Sequence, residues 1–396
     1  MTLPSDLFLR RGGERRLRAG HLWVYSNEVD AARTPLSAFQ AGDPVTVRAA
    51  GGEVLGSAYM DPHSLICARL YAPGRQCALE DALPAALADA LAGRELAFAE
   101  PHYRLVYGDS DLLPGLVVDR FGDYLVVQLN NAGIERYEGA IVAALVALLR
   151  PAGILLRADS RSRREQDLEE RVAVVHGEVP PQLPLAENGV RFLAPVHAGQ
   201  KTGWFYDHRM ARERLRTYAP GRSVLDVYSY IGGWGVQAAA FGAREVCCLD
   251  SSAAALEGVE ANARHNDLEA VVSTLRGNAA ETMTALAEQG RQFELVILDP
   301  PAFIQRRRDL KKGIKAYRRI NELGLRLLAP GGVLVSASCS MHLARADLVA
   351  AVQSAAVRAG CRVSLIEQGA QGADHPIHPA IPETEYLKSA FFRRSV

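Results

Sequence analysis

Apolar residues follow three rhythms along the chain. Up to about residue 74 they come as short runs: Leu7–Leu9, Leu22–Tyr25, Pro44–Val47, Val54–Tyr59 and Leu65–Tyr71. Gly12-Gly13, Gly51-Gly52 and Pro73-Gly74 punctuate them. Short strands with frequent turns predict a small β-barrel. From about 76 to 180 the pattern predicts a small α+β unit. It has an Ala/Leu-rich helix over about 79–95, strands near 115–119 and 123–130, a helix over about 134–149, and strands near 153–157 and 172–176. Val179–Pro184 reads as a linker. From about 185 onward strand and helix alternate, with strands expected at Ser223–Val227, Glu245–Asp250, Val271–Arg276, Phe293–Leu298, Gly332–Ala337, Cys361–Ile366 and Tyr386–Phe392. Such alternation predicts an α/β fold with a parallel, doubly wound sheet, in which ligands sit beyond the carboxyl ends of the strands. The expected divisions are 1–75, 76–182 and 183–396.

Composition narrows this picture. The 396 residues, 48% hydrophobic and 23% charged, exclude a mostly disordered chain. No run is long and apolar enough for a membrane span. The opening Met1–Pro4, followed by Arg10 and Arg11, lacks the apolar core of a leader, so a cytoplasmic protein is expected. The 45 basic and 45 acidic side chains cancel, which argues against a generally polybasic surface. The basic residues nevertheless cluster, at Arg10–Arg18, Arg157–Arg164 and Arg306–Arg319. The six cysteines form no CxxC pair and no zinc-spaced set, so reduced thiols and no metal are expected.

The chemistry gathers in the alternating region. The first strand, Ser223–Val227, carries Asp226 at its end and leads into Tyr228-Ser229-Tyr230-Ile231-Gly232-Gly233-Trp234-Gly235. A dinucleotide fold would place GxGxxG directly after the strand. An acid first, with glycines six residues later, suits a ligand with a cationic centre and no pyrophosphate. The second strand ends in Asp250-Ser251, where an acid commonly accepts from ribose hydroxyls. The combination resembles the S-adenosylmethionine site of class I methyltransferases.

The fourth strand ends in Asp299-Pro300-Pro301-Ala302-Phe303, an acid on a rigid shelf of the kind that holds a target base. The fifth ends in Ser338-Cys339-Ser340. These strands are expected to be neighbours, so Asp299 and Cys339 should face one pocket. A thiolate adding to C6 of a pyrimidine turns C5 into a nucleophile, and a carboxyl group at the ring's N3 edge can stabilise the adduct. No residue is identifiable from sequence as the base that removes the C5 proton. Ala198–Arg209, rich in Gly and aromatics, reads as a hairpin leading into a helix, suited to a lid.

Together these motifs closely resemble the bacterial 23S rRNA cytosine-C5 methyltransferase I family. Gly20–Glu28 resembles its PUA signature and Asp111–Asp123 its central-domain signature. Gln200–Arg209, Asp226–Gly235, Asp250, Asp299–Phe303, Ser338–Ser340 and the tail from Asp374 to Lys388 complete the match. The resemblance implies a Rossmann-like class I methyltransferase domain behind an N-terminal PUA β-barrel and a central α+β domain. It implies S-adenosylmethionine as cofactor, held by Phe205, Asp226, Tyr228, Tyr230, Gly232, Gly233, Asp250, Ser251, Asn278 and Asp299. It implies Cys339 and Asp299 as catalytic residues and Pro300, Pro301, Lys201 and Arg209 on the substrate side. The partner implied is 23S rRNA, with a homodimer left open and neither membrane nor metal expected. Gly277-Asn278 departs from the acid usual in the third cofactor motif, though Asn278 can still bond an adenine amine. Tyr206 and His208 stand where Leu and Gln are usual and receive no catalytic role. Two other readings remain: a methyltransferase acting on a purine nitrogen, which needs no thiol, and a non-catalytic RNA-binding protein with a methyltransferase fold.

Overall fold

The computed structural model describes residues 5–396, apart from the side chains of Arg161 and Ser162. The opening Met1–Pro4, on which the expectation of no leader drew, lies outside the described residues. The chain forms two compact units. The first runs to Leu183 and takes in Pro195–Tyr206 and Ala373–Thr384; the second comprises Pro184–Ala194, Asp207–Gly372 and Glu385–Val396.

In the first unit the short apolar runs pair into a five-stranded sheet in the order Ser5–Phe8, Pro44–Arg48, Val54–Met60, Ile66–Pro73, Trp23–Tyr25. Alternation along these strands buries Leu7, Val24, Val45, Val47 and Leu70 in one core. A second five-stranded sheet follows, built from His102–Tyr107, Leu116–Phe121, Tyr124–Leu129, Gly153–Ala158 and Arg171–Gly177. The helices Leu79–Ala97 and Glu138–Leu149 bury Leu83, Leu87, Ile141 and Leu145 against it. The strand His102–Tyr107 was not read from sequence. Arg157 and Arg163, in one of the basic clusters, are buried and pair with Asp159 and Glu135.

The second unit holds a seven-stranded sheet in the order Val272–Arg276, Glu245–Asp250, Ser223–Val227, Phe293–Leu298, Leu328–Ser338, Lys388–Arg394, Val363–Gly369. Five strands run parallel, as alternation requires. The expected all-parallel sheet is corrected at its edge: Lys388–Arg394 inserts antiparallel to both neighbours. The chain reaches it without a crossover helix, so nothing forces a parallel return. The strands expected at 361–366 and 386–392 lie at Val363–Gly369 and Lys388–Arg394.

The hairpin is also relocated. Residues 195–205 contain no strand; their turns include Lys201 and Gly203 at φ +51° and +99°. The hairpin is Leu183–Glu187 with Val190–Ala194, closed by Asn188 and Gly189 at φ +56° and +78°. Asn-Gly is the pair that favours a two-residue turn with both φ positive.

Candidate active site

The candidate site forms at the carboxyl edge of the seven-stranded sheet. Asp226 is the next-to-last residue of the strand Ser223–Val227, which is buried at every residue. One of its carboxylate oxygens accepts from the Gly235 amide at 2.8 Å. The other, Oδ1, is buried without a hydrogen-bond partner. Burial pushes this carboxyl up to about 7; the charges of Asp299 and Asp250 add to the effect, and the Gly235 amide and Arg212 oppose it. Beyond Asp226 the backbone doubles back, with Tyr228, Tyr230 and Gly232 at φ +67°, +48° and +86°. Gly232 is required twice over, because a Cβ there would also lie 2.7 Å from Val236 Cγ2.

Asp250 ties this turn to the next strand. Its carboxylate accepts from the Tyr230 amide at 3.0 Å and the Ser252 amide at 2.9 Å. The Ser252 hydroxyl caps the helix Ala253–Arg264. Asn278 caps Ala279–Glu288, its side-chain oxygen accepting from the Ala280 and Glu281 amides at 3.0 and 3.3 Å. The acceptor that an adenine amine would use is therefore already committed to the helix. Tyr228, Asp250, Ser251, Asn278, Phe303 and Ile320 are among the walls of a cleft of about 290 Å³. It combines an acid for a hydroxyl pair with aromatic and aliphatic walls for a flat ring, as nucleoside sites do. With the buried, unpartnered Ser229 Oγ and Asp226 Oδ1 beside the turn, these residues fit S-adenosylmethionine.

Asp299 is built differently from Asp226. Its Oδ1 lies 3.2 Å from His208 Nε2, and its Oδ2 accepts from Trp234 Nε1 at 3.0 Å. Burial alone would raise this carboxyl. The His208 charge and hydrogen bond, with the Trp234 N–H, outweigh it and hold Asp299 below the usual carboxylate range. For His208 burial favours the neutral ring, but Asp299 more than compensates and raises it. Asp299 is thus a carboxylate at neutral pH, so it can accept a proton-bearing group but has no proton to offer a ring nitrogen. His208, which stands where Gln is usual and so received no catalytic role from sequence, meets a partner 91 positions away.

Cys339 follows the last residue of Leu328–Ser338 and is half-buried. That strand pairs with Phe293–Leu298, with Leu298 opposite Ser336, so Asp299 and Cys339 leave the same sheet edge. The two turns are joined: the Ile304 amide donates to Ser340 Oγ at 3.2 Å, and Tyr317 links the hydroxyls of Ser338 and Ser340 at 2.7 and 2.9 Å. Pro300 is buried and Pro301 exposed. The adjoining Arg306–Arg319 run leaves Arg306, Arg307, Arg308, Lys311, Lys312, Lys315 and Arg319 exposed.

Arg209, Lys201 and Phe205 were also expected at the site. Arg209 is buried with Nε 3.6 Å from Glu187, which Arg212 also meets at 2.5 Å. Lys201 and Phe205 belong to the first unit, where the ammonium sits 4.9 Å from the ring centroid. Among the described residues no helix is long and apolar enough to cross a membrane, and no cluster of three or more His, Cys, Asp or Glu could hold a metal ion.

Comparison with known proteins agrees with this geometry. Residues 160–382 match the S-adenosylmethionine-dependent methyltransferase family, and residues 7–73 a PUA-like domain. The protein named ribosomal RNA large subunit methyltransferase I of Erwinia tasmaniensis is 37% identical over 96% of this chain and 97% of its own. The protein of the same name from Aliivibrio fischeri is 34% identical over 98% of both. A solved methyltransferase structure complexed with SAH superposes with a TM-score of 0.84 over 98% of this chain and 100% of that one, at 19% identity, which shows the fold. An S-adenosylmethionine-dependent methyltransferase fold behind an N-terminal PUA-like domain, at more than a third identity over nearly the whole length, makes the chain a member of the ribosomal RNA large subunit methyltransferase I family.

Proposed function

We propose that the protein methylates C5 of a cytosine in 23S rRNA, with Cys339 as nucleophile, and that it works in the cytoplasm. Residues 1–75 bind RNA, 76–182 form a central domain and 183–396 carry the chemistry. The observation that carries this reading is the half-buried Cys339 leaving the same sheet edge as an ionised Asp299, beside the cofactor cleft. Bound S-adenosylmethionine supplies an electrophilic methyl group. The Cys339 thiolate adds to C6, and the C5–C6 π electrons become available at C5, which would take that methyl group as its bond to the cofactor's sulfonium breaks and the sulfur leaves as a neutral thioether. Loss of the C5 proton to a base then re-forms C5=C6 and expels the Cys339 sulfur. Asp299, held as a carboxylate by His208 and Trp234, accepts from the exocyclic amine of cytosine; the carbonyl of uracil at that position offers it nothing. Pro300 and Pro301 keep the acid on a rigid shelf, and the exposed cations of Arg306–Arg319 meet phosphates. Asp250 and Ser251 hold the ribose, and the Tyr228–Gly233 turn wraps the remainder of the cofactor.

The test is Cys339→Ala. It should abolish methylation while cofactor binding survives. RNA carrying 5-fluorocytidine at the target should trap the wild-type protein covalently, because fluorine replaces the proton that must leave C5. A purine-nitrogen enzyme would keep its activity in the variant and would not be trapped. Methylation by Cys339→Ala at near wild-type rate overturns the C5 mechanism.

A further inference from the structure

Lys388 is nearly buried, at 5% exposure, and makes no ion pair with a carboxylate among the described residues. Enclosing an ammonium without a counter-charge is costly, so its position needs a reason. It begins the last strand directly opposite Ser338 in the ladder. Its Nζ donates to the Ser340 carbonyl at 2.8 Å. The same residue therefore engages both flanks of Cys339, through its backbone in the ladder at one and through its side-chain tip at the other. The hydroxyl chain Ser338–Tyr317–Ser340 and the Ser340 amide, which donates to Ser338 Oγ at 3.1 Å, fix that turn from the opposite side.

We infer that Lys388 is a positioning residue for the nucleophile: it holds the Ser338–Ser340 turn and supplies the positive charge that favours the Cys339 thiolate. The inference rests on the reading of Cys339 as the attacking group. Ionisation sends the thiol proton to solvent and leaves a thiolate in the field of the ammonium; no other bond changes. Cys339 and Lys388 lie within electrostatic reach of each other. Burial pushes the ammonium down to about 8 and Arg345 adds to this, while Cys339 and Glu385 oppose it. Arg345 and Glu385 themselves lie 3.6 Å apart, so their opposite charges largely cancel at Lys388. Tyr317, which also lies within electrostatic reach of Cys339, is raised by burial and stays neutral. Lys388 therefore carries its charge at neutral pH and gives it up only as pH passes about 8.

The experiment is the pH dependence of Cys339 alkylation by iodoacetamide in the full-length protein, with the modified cysteine identified by mass spectrometry. Wild-type Cys339 should titrate below the roughly 8.5 of a free cysteine. In Lys388→Met the profile should shift upward, so that alkylation at pH 7 falls about three- to tenfold. Lys388→Arg should stay within about twofold of wild type, because it keeps the charge. A wild-type profile at or above that of a free cysteine overturns the inference without recourse to any variant. So does a folded Lys388→Met protein with the wild-type profile, or a Lys388→Arg protein as impaired as Lys388→Met. Should Cys339→Ala still methylate RNA, the nucleophile reading fails, while the alkylation profile still reports whether Lys388 acts on the thiol.

Discussion

Asp226 and Asp299 close adjacent parallel strands, with Asp226 opposite Ile297 in the ladder. Burial acts on both to raise the carboxyl, yet they end on opposite sides of the usual value. Depth alone does not separate them. Asp226 has one backbone amide for one oxygen and nothing for the other. Asp299 has a ring N–H from Trp234 and the ring Nε2 of His208, one for each oxygen. Desolvation penalises the charged form, and only partners that prefer the charged form can reverse it. Two acids one strand apart thus take different work. One braces the glycine turn near its own pKa, and the other is held at the sheet edge as a fixed carboxylate.

The largest expected effect comes from making Asp299 resemble Asp226. His208→Leu removes the imidazolium and should let the Asp299 carboxyl rise. The loss in stability should be about 3 kcal/mol, the low end for breaking a buried pair, because 19% of the Asp299 side chain still reaches water. The pH dependence follows from the two shifts. Asp299 is lowered, so its contribution is lost as pH falls below about 4; His208 is raised, so its contribution is lost as pH climbs above about 6.5 and through the raised value. The gap between wild type and variant, measured by urea unfolding, should be widest between about pH 5 and 6.5. A gap that is flat from pH 4 to 8 would break the comparison. His208→Gln keeps a donor without the charge and should recover part of the loss.

How much of this was legible depended on where the information lay. Asp226, Asp250, Asp299 and Cys339 were readable because each sits at the end of an apolar run, and a run fixes a strand and its terminus together. The neighbours of those acids were not. His208, Trp234 and Lys388 reach their partners through sheet order and helix packing, which no local pattern encodes. The Asn188-Gly189 hairpin carried a local signal, between the alternating residues Leu183, Leu185, Val190 and Phe192, but the linker reading of Val179–Pro184 overlapped its start and neither strand was assigned. The Gly- and aromatic-rich stretch at 198–205 drew the hairpin assignment instead, although it has no alternation to build strands from. The antiparallel Lys388–Arg394 was visible as a strand and invisible as an insertion, since direction depends on the connection and not on the run.

Asp250 is the third acid on this edge and sharpens the comparison from the cofactor side. Its carboxylate meets two backbone amides and lies in the cleft wall. Asp250→Ala should weaken S-adenosylmethionine binding roughly ten- to a hundredfold by calorimetry, the worth of a charge-assisted bond of about 1.5–3 kcal/mol. NAD should not bind either protein. Wild-type affinity in the variant would remove Asp250 from the ribose contact and leave it as a brace for the Tyr230 turn.

The smallest effect tests Asp226 itself. Asp226→Asn keeps an oxygen for the Gly235 amide and removes the ionisation. The folded carboxyl sits at about 7 against an ordinary value near 3.9, so the folded state holds its proton more tightly than the unfolded chain. That favours folding at low pH, and the benefit is lost progressively as pH rises from about 4 through 7. An asparagine has no such slope. Without cofactor, the variant should gain on wild type between pH 5 and 8 by at least about 1 kcal/mol, or roughly 2–4 °C in melting temperature. Melting curves at the two pH values decide the matter. If the two proteins keep a constant separation, the buried Asp226 carries its charge as readily as Asp299 does. The number of partners then no longer explains the difference between the two acids, and some group other than the Gly235 amide must be stabilising the Asp226 charge.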